Sequence, residues 1–224
     1  MRVNVFRRLR DAPMTMPVEF MRPISREAVN ALPIKRYDGD VRLVASREDA
    51  ERAAADFDAE AVVGFDTETR PAFRAGQSYA PALVQVASAR AVYLFQLARA
   101  DFSTALPALL ASRKTVKAGV GLADDLRQLR RVFVLAPAAL VDLGAVARGQ
   151  GLEQSGLRAL AALFLGIRIP KGTRTSNWAA RALSPQQIAY AATDAWTCRE
   201  LYLRFAALGL VSSGAGGAAG QLQP

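Results

Sequence analysis

Nine residues, AVVGFDTET from Ala61 to Thr69, constrain this chain more than any other stretch. Val62, Val63 and Phe65 are the β-branched and aromatic types that a sheet interior prefers, and the run ends in two acids, Asp66 and Glu68. In an extended chain, residues two apart point to the same side, so the two carboxylates share one face at the rim of a buried strand. Like charges held side by side are unfavourable unless a cation lies between them. Taken alone, the pair also fits an ordinary solvated strand end, and the rest of the chain has to decide.

The residue types that are missing narrow the chemistry. There is no histidine and a single cysteine, Cys198. This excludes Ser-His-Asp and Cys-His triads, histidine general bases, the usual zinc ligand sets and an internal disulfide. Chemistry must then run on carboxylates, hydroxyls, lysine, arginine and metal ions. An ion held by carboxylates alone is a hard one, Mg²⁺ or Mn²⁺.

With 224 residues, 51% of them hydrophobic, the chain can bury one substantial core, so a single domain with tails is expected. The formal charge is +9, and all but four of its 29 cationic residues are arginines, whose planar fork suits phosphate. Residues 1–40 read as a basic N-terminal extension, with eight cations against three acids up to Arg36. Such an arm would add salt-sensitive affinity for nucleic acid. Met14, Met16 and Met21 leave open a start further downstream. A short helix near Ser25–Leu32 is expected to end before Pro33. No apolar run has the length of a signal peptide or membrane span, which gives the expectation of a cytoplasmic protein with no membrane partner. The folded domain is expected over 41–208, and the low-complexity stretch 209–224 reads as a disordered tail.

Within that domain, VRLVAS reads as a strand followed by a helix capped by Ser46. LVQVAS and AVYLF read as an antiparallel pair, Asp101 as the cap of the helix that follows, and TVKAG as the next strand. The turn GVGLADDLRQLRR begins like a dinucleotide fingerprint, with Asp142 at the distance of a ribose-binding acid. Its third glycine position is Asp124, however, and a carboxylate there would face a pyrophosphate at the helix N-terminus, which is electrostatically wrong. Asp124 and Asp125 instead open an amphipathic helix with the stripe Leu122, Leu126 and Leu129. The helix dipole accounts for one of these acids and leaves the other for chemistry. GLRALAALFLG reads as a compact apolar helix closed by Gly166.

IRIPKGTRTSNWAAR carries Arg168, Lys171, Arg174 and Arg181 with no acid, and reads as a phosphate-contacting loop in which Trp178 is either core or a stacking surface. SPQQIAYAATDAWTCRELYLRF carries the clearest helix signals: Ser184 as cap, Pro185 in the first position and Gln187 closing a capping box. Tyr190 and Asp194 lie four apart on one face, flanked by alanines that leave room for an approaching group.

Asp66 and Glu68 in FDTET, Asp125 in GVGLADDL, and Tyr190 and Asp194 in YAATDAW, in that order, resemble the DEDDy-type 3′–5′ exonucleases, in the branch of ribonuclease D and the Werner syndrome exonuclease domain. SNW, Ser176 to Trp178, resembles the same family. The resemblance implies an α/β chain with a ribonuclease H-like fold, a mixed central sheet flanked by helices. It also implies two divalent ions, Mg²⁺ or Mn²⁺, on Asp66, Glu68, Asp125 and Asp194, with Tyr190 orienting the attacking water. The implied activity is release of nucleoside 5′-monophosphates from the free 3′ end of DNA or RNA, DNA being favoured. Two alternatives stand beside it: a ribonuclease D-like RNA-processing enzyme, and a binding module that has lost catalysis. Asp125 is preferred over Asp124 because its alignment and the following Leu126 match the family pattern.

Overall fold

Six short runs pair into one sheet. A computed structural model describes residues 16–72, 76–171 and 176–212. The strands are β1 (Asp40–Val44), β2 (Val62–Thr69), β3 (Pro81–Ala87), β4 (Ala91–Gln96), β5 (Val116–Gly119) and β6 (Leu140–Asp142). Helices lie between β1 and β2, β4 and β5, and β5 and β6, whereas β2, β3 and β4 follow one another without a helix among the described residues. Their order across the sheet is β1-β4-β3-β2-β5-β6. The β2-β3 and β3-β4 pairs are antiparallel and the other three are parallel. The sheet is therefore mixed, and the strand that carries the acids lies inside it.

The helices are α1 (Arg26–Ala31), α2 (Arg47–Asp58), α3 (Ala105–Ala111), α4 (Leu122–Leu129), α5 (Leu143–Gly149), α6 (Leu157–Leu160) and α7 (Pro185–Ala207). One face of the sheet is covered by α2, α3 and α4, through Phe57, Leu106, Leu110 and the stripe Leu122, Leu126 and Leu129, which close over Val63 and Phe65 of β2. The other face is covered by α5, α6 and above all α7, whose Leu201 and Phe205 meet Val62 and Val116. Ser46, Ser25 and Ser184 cap their helices, and the capping box of Ser184 with Gln187 is formed. Asp101 does not cap α3: its carboxylate accepts from the Ser103 amide one turn earlier, because the helix starts only after Thr104. The apolar run after α6 widens into a π-helical turn over Ala161–Leu165 and stops at Gly166, whose φ of 64° is left-handed.

The segment before β1 is fastened to this framework. Phe20 stacks on Phe164, the backbone of Ile24 is bound on both sides by the Gln154 amide, and Pro33 and Lys35 bracket Arg168 in a short parallel bridge. The Tyr37 amide donates to Thr193 of α7. Residues 1–15 of the basic arm and 213–224 of the tail lie outside the described residues.

What sets the position of α7 is Gly64. A methyl group in place of its hydrogen would lie 1.9 Å from the Ala195 carbonyl oxygen and 2.8 Å from the Arg199 amide nitrogen, both backbone atoms that no rotamer change can clear. Helix and strand meet there main chain to main chain, which brings Asp194, one residue before Ala195, down to the sheet. Gly64→Ala is expected to force the two apart and cost about 1–3 kcal/mol, the usual range for overpacking. Chemical denaturation of the variant measures this; an unchanged midpoint would show that α7 is not seated by that contact.

Candidate active site

Two residues past Gly64 on the same face of β2 comes Asp66, and two further on Glu68, so both acids emerge where α7 crosses the strand. Asp194 projects from α7 toward them with 6% of its surface exposed. One carboxylate oxygen from each of Asp66, Glu68 and Asp194 lies within 4.8 Å of the others, close enough to share a cation. Tyr190, one turn earlier on α7, holds its hydroxyl against the Asp194 carboxylate.

The fourth acid arrives from the opposite face of the sheet. Thr67, between the two acids of β2, points the other way, and its hydroxyl donates to Asp125 of α4. Asp125 is half-buried, whereas Asp124 is exposed and paired with Arg127 at 2.8 Å. Asp125 thus stands at the rim beside Asp66 without joining the tight group of three. The remaining acid of this region, Asp142, accepts hydrogen bonds from the Gly121 and Leu122 amides and from the Ala145 amide. It ties together the starts of α4 and α5, and it consumes the amides that a dinucleotide phosphate would need.

The electrostatics are those of crowded, buried carboxylates. Burial, followed by the charges of Asp125, Asp194 and Glu68, pushes the Asp66 carboxyl well above its ordinary range. Burial raises Asp125 to about 6, with the Thr67 hydrogen bond opposing, and raises Asp194 to about 6, with the Tyr190 hydroxyl and then the Arg158 guanidinium opposing. Burial and the neighbouring carboxylates raise the Tyr190 hydroxyl, so it stays protonated at neutral pH. Four acids that repel one another in a partly dry pocket fit hard divalent ions bound through oxygen. The Cys198 thiol, also against this cleft, is raised by burial and by the same acids.

The acids lie in an open cleft of about 1110 Å³, lined also by Arg70, Tyr79, Arg158, Ile169 and Lys171. Of the cations expected to contact phosphate, Lys171 is exposed in this lining, Arg181 is exposed but is not among the described residues lining the cleft, and Arg174 lies outside the described residues. Trp178 requires a correction: it is completely buried and packs with Leu83, Leu94 and the Tyr190 ring, so it offers no surface to a base. Its size and apolar ring place it in the core, where it backs Tyr190. Two cleft residues were not singled out from the sequence. Thr67 sits inside the FDTET motif itself, and Arg158 is the only cation within GLRALAALFLG, donating to the Ile169 carbonyl from the cleft wall.

Residues 41–208 match the 3′–5′ exonuclease family. Ribonuclease D of Haemophilus influenzae is 37% identical over 144 residues, which are 62% of this chain and 35% of that protein. The bifunctional 3′-5′ exonuclease/ATP-dependent helicase WRN of Mus musculus is 34% identical over 154 residues, 66% of this chain and 11% of that one. The chain therefore corresponds to one part of these longer proteins. Among solved structures, Escherichia coli RNase D superposes with a TM-score of 0.69 at 21% identity, covering 76% of this chain and 45% of that one. The Nibbler EXO domain of Aedes aegypti gives 0.69 at 23% identity, with 78% and 92% covered. These structural matches show the ribonuclease H-like fold, and together with the match over 41–208 they place the chain in the 3′–5′ exonuclease domain family.

Proposed function

We propose that this chain is a metal-dependent exonuclease that removes nucleoside 5′-monophosphates from the 3′ end of a nucleic acid. The observation that carries the reading is the convergence of Asp66, Glu68 and Asp194 within 4.8 Å, with Tyr190 against Asp194. A pair of divalent ions, when bound, supplies an acidified water and neutralises charge on the attacking and leaving oxygens of a phosphodiester. Asp66, at the centre of the cluster, is the acid suited to serve both ions. Glu68 and Asp194 would complete the position nearer Tyr190, and Asp125, held apart by Thr67, the other. Because the Tyr190 hydroxyl keeps its proton, its role is to orient the nucleophilic water by hydrogen bonding, not to abstract a proton. Arg158 and Lys171 lie where they would meet the phosphates behind the terminal nucleotide.

DNA is the substrate we favour. A second reading, RNA, draws support from the ribonuclease D relatives. The discriminating chemistry is contact with the 2′-hydroxyl. Matched 5′-labelled DNA and RNA oligonucleotides, incubated with Mg²⁺, Mn²⁺ or EDTA, test both readings at once. The expected result is a ladder shortening from the 3′ end, longer-lived for RNA than for DNA, absent in EDTA and absent for Asp194→Ala. Binding without any product in either metal would instead indicate a module that holds nucleic acid and does not cut it.

The two aspartates of α4 make opposite forecasts. Asp125→Ala is expected to lower the rate by more than about 100-fold, the upper end for groups that merely support a ligand. Asp124→Ala, which frees only an exposed pair with Arg127, should leave the rate nearly unchanged. Single-turnover rates of the two variants decide the assignment, and equal losses would overturn it.

A further inference from the structure

Gln85 is the cross-strand partner of Asp66. Residues directly opposite on an antiparallel pair point to the same face, with Cβ atoms about 4.5–5.5 Å apart. Here that is the face covered by α7, because Leu83 and Ala87, two residues to either side of Gln85, pack with Ala191 and Ala195 of that helix. The side chain therefore lies beneath the helix that carries Asp194 and beside the acid at the centre of the cluster.

Gln85 has no exposed surface, and among the described residues neither its amide nitrogen nor its amide oxygen has a hydrogen-bond partner. A buried amide in that state works against folding, and a hydrocarbon of the same shape would suit the surrounding Leu83, Leu94 and alanines better. The neighbouring acids are each steadied by a hydroxyl, Asp194 by Tyr190 and Asp125 by Thr67. Carboxylates that take metal ions are in general fixed by donors behind them, and Gln85 brings two N–H donors to that place beside Asp66.

We propose that Gln85 is a positioning residue for Asp66, its amide N–H donating through one water molecule to the carboxylate and fixing the orientation in which Asp66 takes divalent cations. The proposal rests on the reading of the acids as a metal site. A competing structural use exists in the same apolar cluster, where the buried Trp178 indole N–H also lacks a partner, and it makes the opposite forecast.

The test compares wild type with Gln85→Leu, Gln85→Met and Trp178→Phe, all of full length. It measures thermal unfolding without metal, Mn²⁺ affinity by calorimetry, and kcat and KM on a labelled oligonucleotide. In both Gln85 variants the metal-free Tm is expected to hold or rise, Mn²⁺ affinity to fall about 10–100-fold, and kcat to fall with little change in KM. A lower Tm in both, matching that of Trp178→Phe, with wild-type Mn²⁺ affinity, would overturn the proposal in favour of a structural amide. Failure of both to fold would do the same. If wild type itself binds no Mn²⁺, the metal-site reading falls and the proposal with it; binding of equal strength in wild type and the Gln85 variants would overturn the proposal alone.

Discussion

The main chains of α7 and β2 touch at Gly64, and the site depends on that contact. Without it, the carboxylates of Asp66 and Asp194 would be separated by the thickness of an ordinary helix-on-sheet layer filled by side chains. With it, an acid from a helix is pressed against two acids from a strand. The small residues of α7, Ala191, Ala192 and Ala195, serve the same end, since larger ones would lift the helix away. The N-terminal segment reinforces the arrangement from outside by binding Thr193 and bracketing Arg168, which leads into the Lys171 wall of the cleft.

Such an arrangement is bought against stability. Burial and mutual repulsion both raise Asp66, and the adjoining Gln85 amide is buried without a partner among the described residues. Local rules are kept at α1, α2, α5 and α7, each capped by a side chain, and in β3 and β4, which are buried almost throughout. Departures lie at the end of β2 and along α7, and also at the buried Lys117 of β5. The first two are where a fold is expected to give up stability for chemistry.

The parts of this site that could be read from the chain are the parts that are local. FDTET shows its two same-side acids through strand periodicity, and the α7 motif shows Tyr190 beside Asp194 through helical spacing and a capping box. The parts that could not be read are pairings across the fold. Thr67 reaches Asp125 across 58 positions of sequence, and Arg158 enters the cleft from a helix whose pattern is otherwise purely apolar. Asp142 shows the converse: its spacing imitates a ribose-binding acid, yet its carboxylate is spent on the amides at the starts of two helices. Trp178 carries the chemistry of a base-stacking residue, but only its surroundings reveal that it is core. Asp101 lies where a cap belongs and caps only the preceding turn, since helix boundaries depend on where packing begins.

The central claim is that the acids brought together at Gly64 form a site for divalent cations. Diffraction from crystals soaked in Mn²⁺, recorded for its anomalous signal, tests it most directly. The account predicts anomalous density among the carboxylates of Asp66, Glu68 and Asp194, lost in Asp66→Asn crystals grown and soaked alike. Density elsewhere on the protein with none among these acids, at Mn²⁺ concentrations that support nuclease activity, would contradict it.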